Sequence, residues 1–154
     1  MGVSGTGKTT VGEALADALG VPFVEGDDLH PVANREKMAA GIPLTDADRE
    51  PWLDLVAAEL TRPVVAACSA LKRAYRDRLR AVAPDLALVF LHGAPDLLAE
   101  RMAGRTGHFM PTSLLDSQLA TLEEPGEDEH PVTIDVALSP DEIVARVLVQ
   151  LEEG

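Results

Sequence analysis

Gly2-Val3-Ser4-Gly5-Thr6-Gly7-Lys8-Thr9 opens the chain and matches the phosphate-binding pattern G-x-x-x-x-G-K-[ST] at every fixed position. Its glycines let the backbone curl until successive N–H groups face one anion, and a helix that begins behind the loop adds its positive dipole end. Lys8 would bridge the β- and γ-phosphates of a nucleotide, and the Thr9 hydroxyl would ligate Mg²⁺. The stretch therefore predicts a site for ATP with Mg²⁺. The residues expected to hold the nucleotide here are Gly2, Ser4, Gly5, Thr6, Gly7, Lys8, Thr9 and Thr10.

The rest of the chain alternates short apolar runs with longer helical patterns, which is typical of a parallel α/β sheet. The apolar runs lack polar alternation, as strands covered on both faces do. They lie at residues 23–24, 63–68, 86–91 and 132–137, and helical patterns cover 8–19, 32–40, 46–60, 70–82, 95–103, 113–122 and 140–151. We expect one three-layer domain, residues 1–154, with helices on both faces of the sheet.

A phosphate loop ordinarily follows a buried strand, but only Met1 stands ahead of Gly2. Such a strand would bury several aliphatic side chains at ~1.5–3 kcal/mol each, a sum comparable with the net stability of a domain, ~5–15 kcal/mol. We therefore hypothesise that the natural product begins upstream and that this chain lacks its first strand.

The composition limits the classes of partner. The formal net charge is −13, and no block of Lys and Arg offers the basic face that binds nucleic acid or an anionic membrane. An anionic small molecule must then be held by a local cluster of cations. The single cysteine, Cys68, excludes an intrachain disulfide framework. No apolar run approaches the ~20 residues of a membrane span, so we expect a cytoplasmic protein.

An acidic segment, residues 25–31, follows the first short apolar run. Ligands of a parallel sheet collect outside the carboxyl ends of its strands, so these carboxylates should stand across from the phosphate loop. Asp27 is the candidate for accepting or orienting the proton of an attacking hydroxyl, and Glu25 for holding a Mg²⁺-bound water. The alternative for either residue is a solvated acidic turn, in which Asp28 caps the next helix.

Two cationic stretches could hold an anionic acceptor. Arg49 falls in the first turn of a predicted helix, where the dipole disfavours a cation, and this hints at function. Lys72 and Arg76 are four residues apart and would share one helix face, from which they could clamp a carboxylate together.

The segment of residues 104–112 has the character of a lid, because glycines flank a cation where a helix runs out. Arg105 would close over the phosphates and offset charge that develops during transfer, and Arg101 could meet phosphate or the adenine face. His108 is ambiguous, since no second His or Cys lies at metal-ligand spacing.

The motifs now described, in this order, resemble the bacterial gluconate kinase (gluconokinase) family over nearly the whole chain. They are Gly2–Thr9, Gly26-Asp27-Asp28-Leu29-His30-Pro31, Asn34 with Lys37-Met38, Asp48-Arg49 with Pro51-Trp52, Cys68-Ser69-Ala70-Leu71-Lys72 with Tyr75-Arg76-Asp77, Gly107-His108-Phe109, and Leu122-Glu123 with Pro125. The strings G-D-x-L-H-P and C-S-A-L-K are distinctive within P-loop kinases.

This resemblance implies a nucleoside-monophosphate-kinase-like and shikimate-kinase-like P-loop fold, Mg²⁺ dependence and a homodimer. It also implies transfer of phosphate from ATP to D-gluconate, which gives 6-phosphogluconate, with His30 and His108 among the substrate contacts. Two departures are the absent strand ahead of the loop and Glu25, where the family often has Asp.

The expected mechanism consists of positioning and charge neutralisation. The loop, Lys8 and Mg²⁺ fix the triphosphate, Asp27 aims the terminal hydroxyl, and lid closure through Arg105 excludes water. The acceptor is gripped by Arg49, Lys72 and Arg76. The alternatives are a kinase for another small acceptor, such as shikimate, and a catalytically silent nucleotide-binding module.

Overall fold

The computed structural model describes residues 1–104 and 112–153. Within these ranges the strands are β1 (Phe23–Glu25), β2 (Val65–Ala67), β3 (Val89–His92) and β4 (Val132–Asp135). The helices are α1 (Lys8–Leu19), α2 (Val32–Ala39), α3 (Asp46–Glu59), α4 (Arg73–Val82), α5 (Pro95–Ala103), α6 (Thr112–Thr121) and α7 (Pro140–Glu153), with 3₁₀ turns at Gly26–Leu29 and Glu127–Glu129.

The sequence predicted every one of these strands and α-helices, but the bounds differ at β2, β3 and α4. β2 is shorter than the expected 63–68, and β3 begins at Val89, three residues after its expected start. The difference at α4 has a clear backbone cause. That helix was expected to start at Ala70 but begins at Arg73. Ala70 has φ = 44°, in the left-handed region, and Lys72 is extended at φ = −102° and ψ = 147°. The backbone of both residues is therefore incompatible with a right-handed helix.

The strands form two parallel pairs that meet at the start of the chain. β1 pairs with β2, with Phe23 opposite Val65, and β3 pairs with β4, with Val89 opposite Val132. The Met1 carbonyl accepts a hydrogen bond from the Leu91 amide at 2.9 Å, and the Gly2 amide donates to the Ser69 carbonyl at 3.3 Å. Met1 and Gly2 thus bridge β3 and the end of β2, and the phosphate loop leaves the sheet between them.

Helices cover the strands in two groups, each with its own apolar core. The core on the side of α1, α5, α6 and α7 is centred on buried Val11, Leu15, Leu98, Ile134 and Val147. The core on the side of α3 and α4 is centred on Trp52, Leu53, Val56, Tyr75 and Leu79. The chain is therefore an α/β fold with a parallel sheet between helical layers, as predicted. Among the described residues, no helix combines the length and apolarity that crossing a membrane requires.

A cavity of about 610 Å³ lies between β2 and β3. Its walls include Val65 to Cys68 of the β2 side, Leu86 to Val89 of the β3 side, Val11 and Leu15 of α1, and Val56 of α3. Met1 also lines the cavity, and its amino group donates to the Val89 carbonyl. Burial lowers the pKa of this amine from 8.0 to about 5. The cavity lies between two parallel strands and has the apolar lining that a further parallel strand would need.

A five-residue Val/Ile-rich extension placed ahead of Met1 is expected to raise Tm by roughly 10 °C, because it would bury several apolar side chains between β2 and β3. The extension also replaces a buried amine with an amide. Thermal unfolding followed by circular dichroism measures the shift. An extension of equal length made of Gly and Ser is the matched control, and equal Tm values for the two proteins would contradict the interpretation of the cavity as a strand site.

Candidate active site

The phosphate loop is curled ahead of α1. Gly7 precedes the first helical residue with φ = 84°, a left-handed conformation that disfavours any residue with a side chain. The Thr6 hydroxyl donates to the Val3 carbonyl at 2.9 Å and holds the turn. Lys8 reaches back along the loop, where its ammonium group donates to the carbonyls of Gly2 at 3.0 Å and Val3 at 3.1 Å. Its charge therefore lies along the loop and not out in solvent.

Thr9 and Glu25 meet where α1 begins and β1 ends. The Thr9 hydroxyl donates to the Glu25 carboxylate, whose other oxygen accepts from the Asp27 amide at 3.4 Å. Among the described residues, no group of three or more His, Cys, Asp and Glu side chains could hold a metal ion by itself. A hydroxyl beside one carboxylate nevertheless fits Mg²⁺, which keeps several waters and takes further oxygens from substrate phosphates.

The acidic segment is held close to the sheet by Gly26. A Cβ at this glycine would lie 2.3 Å from the Ala67 carbonyl oxygen, so only glycine fits. The indole nitrogen of buried Trp52 donates to the Gly26 carbonyl at 2.7 Å. Asp27 follows directly with an exposed side chain in the 3₁₀ turn. A close backbone approach and a buried hydrogen bond thus fix the backbone that carries Asp27.

A cavity of about 60 Å³ joins the phosphate loop to this segment. Its polar lining residues are Ser4, Lys8, Asp27, His30, Arg49, Ser69, Ser117, Gln118 and Thr121, and its apolar ones include Met38, Leu44 and Trp52. The structure therefore brings together predicted residues from the loop, the acidic segment and α3. The three polar residues of α6 were not singled out in the sequence, because nothing in the local pattern of that helix distinguishes them.

His30 forms one wall of this cavity in a defined tautomer. Its ring stacks on Trp52 with centroids 4.2 Å apart. The amide nitrogen of Asn34 donates to the Asp48 carbonyl at 2.9 Å, which identifies it as the donor, and it also lies 3.2 Å from His30 Nδ1. Nδ1 must therefore accept, so Nε2 carries the proton. Burial is the main cause that lowers the pKa of His30 from 6.5 to about 4.

His30 is expected to stay neutral between pH 5 and 8, because its folded pKa lies below this range. Imidazole NMR shifts followed over that interval check the expectation, and the His30→Gln variant assigns the signal. The urea-unfolded protein is the control, in which the ring should titrate near its ordinary pKa. A midpoint between pH 6 and 7 in the folded protein would contradict the burial argument.

Arg49 and Lys72 both lie close to the ring of Tyr75, at 5.4 and 5.7 Å from its centroid. The Arg49 guanidinium donates to the Leu44 carbonyl at 2.7 Å and to the Tyr75 hydroxyl at 3.2 Å. The Lys72 ammonium lies 3.0 Å from an Asp46 carboxylate oxygen, and hydrogen bonds from Tyr75 and Lys72 lower the pKa of Asp46. Arg49 lines the small cavity, whereas Lys72 is outside its lining. The structure thus places Arg49 nearer to Asp27 and the loop.

Arg76 is buried in an ion pair and does not face the acceptor side of the site, where it was predicted to lie. Its side chain is 1% exposed, and Nε and Nη2 donate to the equally buried Glu129 carboxylate at 2.8 and 3.1 Å. Nη1 donates to the Ala70 carbonyl at 2.9 Å. Lys72 precedes α4, so it shares no helix face with Arg76. The predicted Lys72–Arg76 clamp was therefore wrong, and Arg76 ties α4 to the 3₁₀ turn before β4.

Glu129→Ala should lower the free energy of unfolding by ~3–5 kcal/mol, because it leaves the Arg76 guanidinium buried without its carboxylate partner. Arg76→Ala should lower it by a smaller amount, because the Glu129 carboxylate keeps its hydrogen bond from Arg80. Urea denaturation measures the loss, and the double variant should cost less than the sum of the two. Hydrogen bonds from Arg76 and Arg80 lower the pKa of Glu129 to about 2. The stabilisation from Glu129 is thus present above its ordinary pKa of 4.5 and disappears as the pH falls towards 2.

Arg78→Ala is the matched control on the same helix. Arg78 pairs with Asp54 at the surface, where the side chains are 41% and 61% exposed, so its loss should cost ~1 kcal/mol or less. Wild-type stability of Arg76→Ala would contradict the structural role given to Arg76.

The remaining predicted residues lie around the loop or outside the described ranges. Thr10 is exposed in the first turn of α1. Arg101, near the end of α5, donates to the Val136 carbonyl at 2.7 Å, just beyond β4. Arg105 and His108 fall outside the described residues, as does most of the predicted lid.

Comparison with known proteins places this arrangement in a family. Residues 1–125 match the AAA domain family. A gluconokinase of Gluconobacter oxydans is 52% identical, over 96% of this chain and 86% of its own length. A crystal structure of a gluconokinase from Sinorhizobium meliloti is 57% identical with a TM-score of 0.93, over 99% of this chain and 89% of that one. The shikimate kinase of Aquifex aeolicus, 15% identical with a TM-score of 0.63 over 99% of this chain and 94% of that one, shares the fold. The chain therefore belongs to the gluconokinase family of P-loop kinases.

Proposed function

We propose that this chain transfers the γ-phosphoryl group of ATP to D-gluconate and forms 6-phospho-D-gluconate. The observation that carries the proposal is the shared cavity, in which Ser4 and Lys8 of the phosphate loop line the same space as Asp27. Family membership points to the same reaction. A phosphate cage and a carboxylate on one cavity are what a phosphoryl transfer to a hydroxyl requires.

The donor side of the site holds the triphosphate. The amides of the loop and the dipole of α1 face the phosphates, and Lys8 moves from the carbonyls of Gly2 and Val3 to the β- and γ-oxygens. Thr9 and Glu25 are the residues that would hold Mg²⁺, either directly or through water. When bound, Mg²⁺ supplies neutralisation of the phosphate oxygens.

The acceptor side orients the sugar acid. Asp27 accepts a hydrogen bond from the terminal hydroxyl and aims its oxygen at the γ-phosphorus. His30, neutral at physiological pH, offers its Nε2 proton to another hydroxyl. Arg49 binds the carboxylate, since its guanidinium lines the cavity and suits that group. Lys72, whose ammonium lies 5.7 Å from the centroid of the Tyr75 ring that Arg49 also contacts, adds positive charge near Arg49.

Because the net charge of the chain is −13, these local donors must also offset the repulsion between the protein and its anionic ligands. ATP and gluconate are both anions, so the overall field opposes their approach. Binding therefore depends on oriented amides, Lys8 and Arg49 inside the site. We propose that Arg101 and Arg105 add cations when a lid near residues 104–112 closes, with His108 on the substrate side. We also propose one domain over residues 1–154, a homodimer and a cytoplasmic location.

A coupled assay for ADP release over a panel of acceptors tests the function. Gluconate is expected to be the preferred acceptor, ahead of shikimate, nucleoside monophosphates and neutral sugars. Preference for another acceptor would reassign the substrate. ADP release that no acceptor stimulates would indicate a nucleotide-binding module without transferase activity.

Asp27→Asn is expected to lower kcat by about 10²–10⁴-fold, because the variant keeps the size of the side chain but loses the base. The Kd for ATP, measured by titration calorimetry, should change less than twofold. Asp28→Asn, at the adjacent exposed carboxylate, is the matched control and should retain wild-type turnover. Turnover of Asp27→Asn within twofold of wild type would remove Asp27 from the mechanism.

A further inference from the structure

Gln118 of α6 makes a direct contact with the phosphate loop. Its side-chain Oε1 accepts a hydrogen bond from the backbone amide of Ser4 at 2.7 Å, although 114 positions separate the two residues in the sequence. The contact is partly buried, and both residues line the small cavity with Asp27 and His30. A neutral amide oxygen thus lies against a backbone N–H inside the loop that cradles phosphates.

The contact fixes the orientation of the Gln118 carboxamide. Because a backbone N–H can only donate, the atom that faces Ser4 is the oxygen, and the other branch of the planar group is Nε2, which has two donors. Gln118 therefore adds hydrogen-bond donors to a wall that it shares with Asp27, a carboxylate, and His30, a neutral ring. A carboxamide does this without adding charge beside the phosphates.

The backbone of α6 is anchored on both sides of Gln118. Leu114 and Leu115, one turn earlier, are 5% and 2% exposed. Just beyond the end of α6, five residues after Gln118, the Glu123 amide donates to the Leu71 carbonyl at 2.8 Å, and the Glu123 carboxylate accepts from the Arg73 amide at 2.8 Å. The position of Gln118 relative to the sheet is thus set by core packing and by the segment between β2 and α4.

We propose that Gln118 binds the acceptor: its carboxamide bridges the Ser4 amide and a hydroxyl of the sugar acid, and so ties the position of the acceptor to that of the loop. The proposal rests on the proposed function. Polyol hydroxyls both donate and accept, so a carboxamide is a matching partner. A bridge between loop and acceptor also favours transfer to the sugar acid over transfer to water.

Gln118→Ala and Gln118→Glu test this role. In Gln118→Ala, kcat/KM for gluconate should fall about tenfold or more, because a hydrogen bond to the acceptor is lost. The Kd for ATP should stay within twofold, and the share of ATP hydrolysed without phosphogluconate formation should rise. Gln150→Ala, at an exposed glutamine on α7, is the control and should match wild type. Tm is measured for each protein.

Gln118→Glu separates binding of the acceptor from a purely structural tether. The carboxylate keeps an oxygen for the Ser4 amide but has no N–H donors, so we expect this variant to be at least as impaired as Gln118→Ala. Recovery of wild-type kcat/KM in Gln118→Glu would show that the tether alone matters and would overturn the proposal. Unimpaired Gln118→Ala would overturn it as well.

A wild-type protein that fails to phosphorylate gluconate would overturn the proposed function, and this inference with it. Wild-type turnover together with an unimpaired Gln118→Ala variant would overturn only the role of Gln118.

Discussion

The position of the phosphate loop between the two parallel strand pairs is the constraint on which the site depends. Met1 hydrogen bonds to β3, and Gly2 hydrogen bonds just beyond β2, so the loop leaves the sheet at the carboxyl ends of both neighbours. The residues that follow β1 and β2 must then face it. Gly26 and Trp52 hold Asp27 on that side, and α6 closes the space from the other. The ends of the strands therefore determine which side chains face the phosphate loop.

The proposed site would bind anions, whereas the rest of the molecule is strongly acidic. Many of the basic side chains are already paired, as Arg76 is with Glu129 and Arg78 with Asp54. In the proposed function, ATP and gluconate would be recognised by groups that the acidic surface does not neutralise, namely backbone amides, a helix dipole and cations held within the fold. Such donors act at short range, which suits small anionic ligands.

The sequence predicted what depends on local pattern and missed what depends on distant partners. The loop, the presence of the strands and most helix limits follow from short motifs and periodicity, and the place of Asp27 follows from the rule for strand ends. Arg76 was wrongly predicted to bind the acceptor, because its partner, Glu129, lies 53 positions away in the sequence. No local pattern around Arg76 indicates this ion pair. Ala70 has a left-handed backbone conformation, which the sequence does not reveal. For this reason α4 begins at Arg73 and not at Ala70 as predicted. The contact of Gln118 with the phosphate loop could not be predicted from the sequence, because it depends on how α6 packs on the loop.

The most direct test of the central claim is the distance between the nucleotide's metal and the carbons of bound gluconate. Mn²⁺ with a non-hydrolysable ATP analogue would serve as a paramagnetic probe in NMR relaxation measurements on the gluconate protons. A single site shared by loop and acceptor predicts the fastest relaxation at the terminal hydroxymethyl group and slower relaxation towards the carboxylate. Relaxation no faster than with the free Mn²⁺ nucleotide, or fastest beside the carboxylate, would contradict the account.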